Sequence, residues 1–146
     1  MTFLLDSDTC VFWLRGQPAV EAWLNEVSPE EIGISVITLA ELHYGADCSA
    51  QRDANHQAID DFVSGVLVLP VDGSIARVFG AIKAELRRQG NLIEDFDLLL
   101  AATALANDLT LVTNNTGHFE RVPGLTLSNW ARGSSGAPWT LPHVAP

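Results

Sequence analysis

Four apolar runs of three or four residues, each separated from the next by segments with helical spacing, limit what this chain can become. They are Phe3-Leu4-Leu5, Ile32-Gly33-Ile34, Val66-Leu67-Val68-Leu69 and Leu109-Thr110-Leu111-Val112. Each is too short for a core helix. Each also lacks the polar alternation of a strand with one wet face, so each reads as a strand buried on both sides. Between them, Val11, Phe12 and Leu14 predict a short helix capped at Ser7 or Asp8 and stopped at Gly16. Pro18 opens a helix over 19–27. Ser35 caps a helix carrying Ile37, Leu39, Ala40, Leu42 and Tyr44, with Gly45 near its stop. Residues 46–53 read as a loop, 54–64 as a helix, and Asp72 caps a long helix over 74–89. Asp95 is placed to cap a helix over 96–107. Residues 113–117 form a turn cluster, and Leu125-Thr126-Leu127 is a short fifth strand. Strands alternating with helices predict a three-layer α/β/α domain around a central, mostly parallel sheet of four to five strands.

At 146 residues, 47% hydrophobic and 18% charged, the chain has enough apolar content for one real core, and a mostly disordered chain is excluded. The domain is expected over 1–132. The tail at 133–146, GSSGAPWTLPHVAP, has no period and is expected to be loosely held. Cys10 and Cys48 lie far apart without metal-ligand spacing, which points to a reducing cytoplasm rather than a disulfide or zinc scaffold. The longest uncharged apolar run, 98–106, is far short of a membrane span, and the first six residues lack the basic start of a signal peptide.

Eight Lys and Arg face eighteen Asp and Glu, a net charge of −10. A coat for duplex phosphates would be basic. The acids therefore solvate the surface, receive a basic protein partner, or converge to hold divalent cations.

In open α/β sheets, ligands bind beyond the carboxyl ends of the strands. Asp6 ends the first strand there, and Thr113, Asn114 and Asn115 follow the fourth. Glu41 lies in the helix after the second strand and Asp97 in the first turn of the helix before the fourth, so Asp6, Glu41 and Asp97 can converge. Carboxylates brought together need protons or cations, and hard oxygen donors favour Mg²⁺ or Mn²⁺. Each residue also has a simpler reading. Asp6 suits a turn or cap, Asp95 and Asp97 complement a helix dipole, and the Asn pair suits a turn. His43, His56, His118 and His143 show no ligand spacing. Cys10 reads as small and apolar, Cys48 as a loop thiol, and Trp13, Trp23 and Trp130 as core or interface. Asp6-Ser7-Asp8 also matches part of the D-x-D-x-[TV] loop of haloacid-dehalogenase-like phosphatases. Here the fifth position is Cys10, with Thr9 one place early, and no cap domain fits the length.

Four segments in order carry a stronger likeness: FLLDSDTC, SVITLAELHYGA, IEDFDLLLAATAL, and LVTNNTGHFERVPGL followed by NW. From Phe3 to Trp130 the chain resembles the PIN-domain ribonuclease toxins of the VapC family, from bacterial toxin–antitoxin pairs. The resemblance implies that Asp6, Glu41 and Asp97 are the catalytic, metal-holding acids, with Mg²⁺ as cofactor and Mn²⁺ able to replace it. It implies supporting roles for Asp8, Asp95, Thr113 and Asn115. Asn115 stands where relatives carry Asp or Asn, and Gly117-His118 stands where they often carry a charged pair. The implied reaction is endonucleolytic cleavage of RNA, often structured RNA such as tRNA, which inhibits translation. The implied partners are a cognate VapB-like antitoxin and a second copy of the toxin. Arg15, Lys83, Arg87 and Arg88 are the candidate phosphate contacts. The alternatives are a catalytically inactive PIN-like scaffold that binds a protein and, behind it, a small D-x-D phosphatase.

Overall fold

A computed structural model describes residues 1–131, so the tail at 133–146, with His143, lies outside the described residues. The strands are β1 (Phe3–Leu5), β2 (Ile32–Ser35), β3 (Leu67–Leu69), β4 (Thr110–Val112) and β5 (Leu127–Ser128). The helices are α1 (Ser7–Leu14), α2 (Pro18–Glu26), α3 (Val36–Asp47), α4 (Arg52–Val63), α5 (Gly73–Arg88), α6 (Asp95–Ala106) and the single-turn α7 (Thr116–Phe119). A 3-10 turn at Pro29–Glu31 leads into β2. The sheet order is β3-β2-β1-β4-β5, and every neighbouring pair is parallel.

Successive residues of a strand point to opposite faces, and the two cores follow that rule. Leu4 and Leu111 pack on one face with Leu86, Leu98, Leu100, Ala101, Ala104 and Phe119, drawn from α5, α6 and α7. Leu5 and Val112 pack on the other with Cys10, Val20, Leu42, Ala46, Ile59 and Trp130, drawn largely from α1 to α4. β1 is thus covered on both sides, whereas β3, also expected to be buried on both sides, is the edge strand of the sheet and leaves Leu67 and Val68 exposed. Trp130 is fully buried, stacked on Trp23 at 5.6 Å and edge-on to Phe3 at 5.2 Å, while Trp13 meets Phe62 edge-on at 4.6 Å. All three tryptophans therefore serve packing. Burial drives the Cys10 thiol well above its usual range, and Cys48 is exposed at the end of α3. No helix of the described residues is long and apolar enough to cross a membrane.

Several boundaries differ from expectation. Asp6, rather than Ser7 or Asp8, caps α1, because the end of β1 turns its carboxylate onto the Thr9 N–H at 2.8 Å. Gly45 does not stop α3, which runs to Asp47. Glycine costs about 1 kcal/mol inside a helix, and burying Leu42 and Ala46 on either side of it offsets that. Glu94, not Asp95, precedes the first turn of α6. The cluster after β4 winds into α7, and β5 begins at Leu127, two residues later than the pattern suggested.

Candidate active site

β1 lies between β2 and β4, where the order of the sheet reverses, so its carboxyl end opens onto the crevice that such sheets offer to ligands. Asp6 sits there. Its backbone N–H donates to the Val112 carbonyl at 3.1 Å, joining it to the end of β4. Its carboxylate accepts hydrogen bonds from the Thr9 N–H at 2.8 Å and from the Thr113 hydroxyl. Asp6 is only 7% exposed. Burial holds its pKa above the ordinary carboxylate value, against the pull of those hydrogen bonds.

Glu41, half-buried in α3, is also raised. Burial is the main cause, followed by the negative charge of Asp97; a hydrogen bond from Ser7 acts in the opposite direction, and Asp6 and Asp8 push it up further. Asp97, in the first turn of α6, is raised by burial and by Glu94 and Asp8, and His118 beside it offsets part of the rise. His118 Nε2 stands 3.0 Å from Asp97 Oδ2. Asp6, Glu41, Asp97 and exposed Asp8 therefore lie within one another's fields at a single sheet edge. Among the described residues, no three His, Cys, Asp or Glu side chains stand close enough, as placed, to clasp one ion by themselves.

Thr113 is fully buried and links two segments: its hydroxyl donates to Asp6 and its oxygen accepts from the Asn115 N–H at 2.9 Å. Asn115 acts through its backbone, its carbonyl accepting from the N–H groups of His118 and Phe119. Asp95 is not part of the cluster. It is exposed and paired with Lys83 at 2.8 Å, and that lysine also lies 5.7 Å from the Phe79 ring. Arg88 pairs with Glu85, and Arg87 is exposed in the last turn of α5. Arg15 is the one of the four basic candidates that borders the acids. It lines a groove of about 480 Å³ with Asp8, Glu41, Val11, Leu14 and Ile59, between α1 and the α3–α4 pair.

Sequence alone gave Ser7 only a capping role and assigned no place in the site to Ser7, Thr9 or His118. Ser7 and Thr9 flank the acids in sequence, a signal that was available. His118 carries no such signal, because it reaches Asp97 only through the turn after β4. The other described histidines lie elsewhere: His43 and His56 face each other through Nδ1 atoms 2.7 Å apart, and His56 Nε2 lies 2.8 Å from Asp47 Oδ1. They tie α3 to α4.

The PIN domain family matches residues 3–125. The tRNA(fMet)-specific endonuclease VapC of Shigella flexneri is 39% identical over 131 residues, covering 90% of this chain and 99% of that protein. Among solved structures, VapBC of Salmonella typhimurium bound to DNA superposes with a TM-score of 0.84 at 36% identity, covering 89% of this chain and 98% of that one. VapBC2 of Rickettsia felis bound to a DNA fragment from its promoter gives 0.83 at 33% identity, covering 89% and 99%.

Proposed function

The chain belongs to the PIN-domain family and, within it, to the VapC ribonucleases; on that premise we propose that it is a divalent-metal-dependent endoribonuclease, the toxin of a toxin–antitoxin pair, with Asp6, Glu41 and Asp97 at its reactive centre. The observation that carries the assignment of residues is the gathering of three partly or wholly buried carboxylates at one sheet edge, each raised first by burial and then by neighbouring acids: Asp8 for Asp6, Asp97 and Asp6 for Glu41, and Glu94 and Asp8 for Asp97. Such a group is stabilised by a bound cation. The open spacing of the acids suits Mg²⁺, which keeps several waters and takes only one or two protein carboxylates. Mn²⁺ accepts the same hard oxygens.

Asp6, Asp97 and Glu41 would hold the ion, directly or through its water shell. When bound, the cation polarises the phosphate and makes water a better nucleophile. Thr113 and Thr9 fix the Asp6 carboxylate through hydrogen bonds. Glu41, already inclined to keep a proton, takes one from the attacking water on its carboxylate, while Ser7 orients it. In-line attack leaves a 5′-phosphate and a 3′-hydroxyl. Arg15, which lines the same groove as Glu41, is placed to meet a substrate phosphate. Thr113 and Asn115 support the centre through Asp6, and Asp8 adds negative potential. Asp95, tied to Lys83, contributes least.

The substrate is RNA, with structured RNA such as tRNA the favoured class, and its cleavage in the cytoplasm inhibits translation. A VapB-like antitoxin neutralises the enzyme, and two copies of the toxin associate. Incubation of the purified protein with total RNA and Mg²⁺ tests the reading. Cleavage is expected, with EDTA abolishing it and Asp97→Asn reducing it at least about a hundredfold. Equal cleavage by that variant overturns the assigned centre.

A further inference from the structure

His118 is the one imidazole at the acidic edge, and it replaces what the resemblance leads one to expect there, part of a charged pair. A chain of hydrogen bonds places it. Asp6 accepts from the Thr113 hydroxyl, Thr113 Oγ1 accepts from the Asn115 N–H, and the Asn115 carbonyl accepts from the His118 N–H at 3.2 Å. The ring is further fixed edge-on against Phe119, at 5.6 Å and 89°.

Its Nε2 atom is buried and stands at ion-pair distance from Asp97 Oδ2, 3.0 Å away, without the alignment of a good hydrogen bond. The separation itself is informative. Two donors bonded to one small divalent cation at roughly 2.1 Å, at right angles, stand about 3 Å apart. A nitrogen and a carboxylate oxygen at that spacing, not aligned for a hydrogen bond, match adjacent ligands of one ion.

Building on the function proposed above, we infer that His118 Nε2 is a nitrogen ligand of the cation held at Asp97, and that it shifts the ion preference of this chain from Mg²⁺ toward first-row transition ions. Mg²⁺ prefers oxygen donors and binds imidazole poorly, whereas affinity for nitrogen rises from Mn²⁺ along the transition series. A mixed nitrogen and oxygen set at this edge would thus favour Mn²⁺ over Mg²⁺. It also gives His118 a physical role as the donor in this turn, whereas at Gly117 a side chain would meet nothing within 4 Å.

The test uses the full chain loaded with Mn²⁺. Pulsed electron paramagnetic resonance reads ¹⁴N coupling to the ion directly, and calorimetry reads Mn²⁺ and Mg²⁺ affinities. The intact protein is expected to show coupling to one imidazole nitrogen. His118→Gln is expected to lose that coupling and to bind Mn²⁺ at least about tenfold more weakly, with Mg²⁺ affinity little changed. His118→Glu should restore binding without nitrogen coupling and narrow the preference for Mn²⁺ over Mg²⁺. His43→Gln, distant from the edge, should leave the signal intact, and melting curves confirm that each variant folds. Bound Mn²⁺ with no nitrogen coupling, or coupling that survives His118→Gln, overturns this inference and leaves the carboxylate centre standing. Failure of the intact chain to bind Mn²⁺, or undiminished binding by Asp97→Asn, overturns the centre itself.

Discussion

The acids at the sheet edge and those on the outer helices are the same chemical group in opposite circumstances. Asp6, Glu41 and Asp97 are held above the ordinary carboxylate range, in each case first by burial. Asp47 and Glu85 are held below it: Asp47 by Arg52 and His56, and Glu85 by Arg88 and Gln89. The outer acids have cations or donors in reach and solvent around them. The edge acids have neutral donors, Thr9 and Thr113 at Asp6 and Ser7 at Glu41, which do not outweigh burial and the neighbouring acids, and His118 stands close to Asp97. The net charge of −10 alone does not distinguish the two groups; placement does. The edge stores unfavourable charge at neutral pH, which the proposed cation would relieve.

Removing one edge charge should break the contrast most sharply, with two readouts of opposite sign. Asp6→Asn keeps a residue that caps helices well and removes the carboxylate's charge. RNA cleavage is expected to fall at least about a hundredfold, while the metal-free protein melts on the order of 3 °C higher at neutral pH. A variant that loses activity and stability together would mean that Asp6 acts mainly as a structural cap.

The next effect is in pH. A carboxyl whose folded value is raised binds more protons folded than unfolded. Its stabilising contribution is therefore complete below the unfolded value and is lost as pH rises through the folded one. For the edge acids this loss lies above the ordinary values of 3.8 for Asp and 4.5 for Glu. The outer acids have lowered values and work the other way, losing their contribution as pH falls. Bound Mn²⁺ should cancel only the edge term. The melting temperature with Mn²⁺ minus that with EDTA is therefore expected to widen from about pH 4 to pH 8. A difference that stays flat would remove the basis for the contrast.

The smallest effect belongs to the outer group. Arg52→Ala deletes the cation 2.8 Å from Asp47, yet both side chains are more than half exposed. The melting temperature should move by no more than about 2 °C, with Mn²⁺ affinity unchanged. A larger shift would show that surface pairing on α3 and α4 carries more of the fold than exposure allows.

The strands were readable in the sequence because their apolar runs are short and bounded by turn residues, and the α/β layering followed from their alternation with helices. Helix ends were less readable. Asp6, Ser7 and Asp8 can each cap a helix, and only the path of β1 decides among them. Gly45 is a weak helix breaker, overruled by the burial of Leu42 and Ala46. Asp95 looked like a cap and a supporting acid, yet Lys83, on a different helix, holds it on the outer surface. At the edge, topology alone could bring Asp6, Glu41 and Asp97 together, because all three lie near carboxyl ends of strands. Their roles came from the resemblance. Ser7 stands next to Asp6 in sequence, but its contact with Glu41 and that of His118 with Asp97 were not legible, because they depend on how α1 meets α3 and how the turn after β4 meets α6. No spacing along the chain encodes either contact.

The pairing of β1 with β4 joins residues more than a hundred positions apart, and Thr9 reaches across the same gap to the Val112 carbonyl. Contacts of such long range form late, after the entropy of closing the intervening chain has been overcome. While it is being synthesised, the protein has exposed its first two acids long before the strand that seats them leaves the ribosome. A nascent or prematurely ended chain that stops short of Val112 carries Asp6, Glu41 and Asp97 without the strand that holds Asp6 in place.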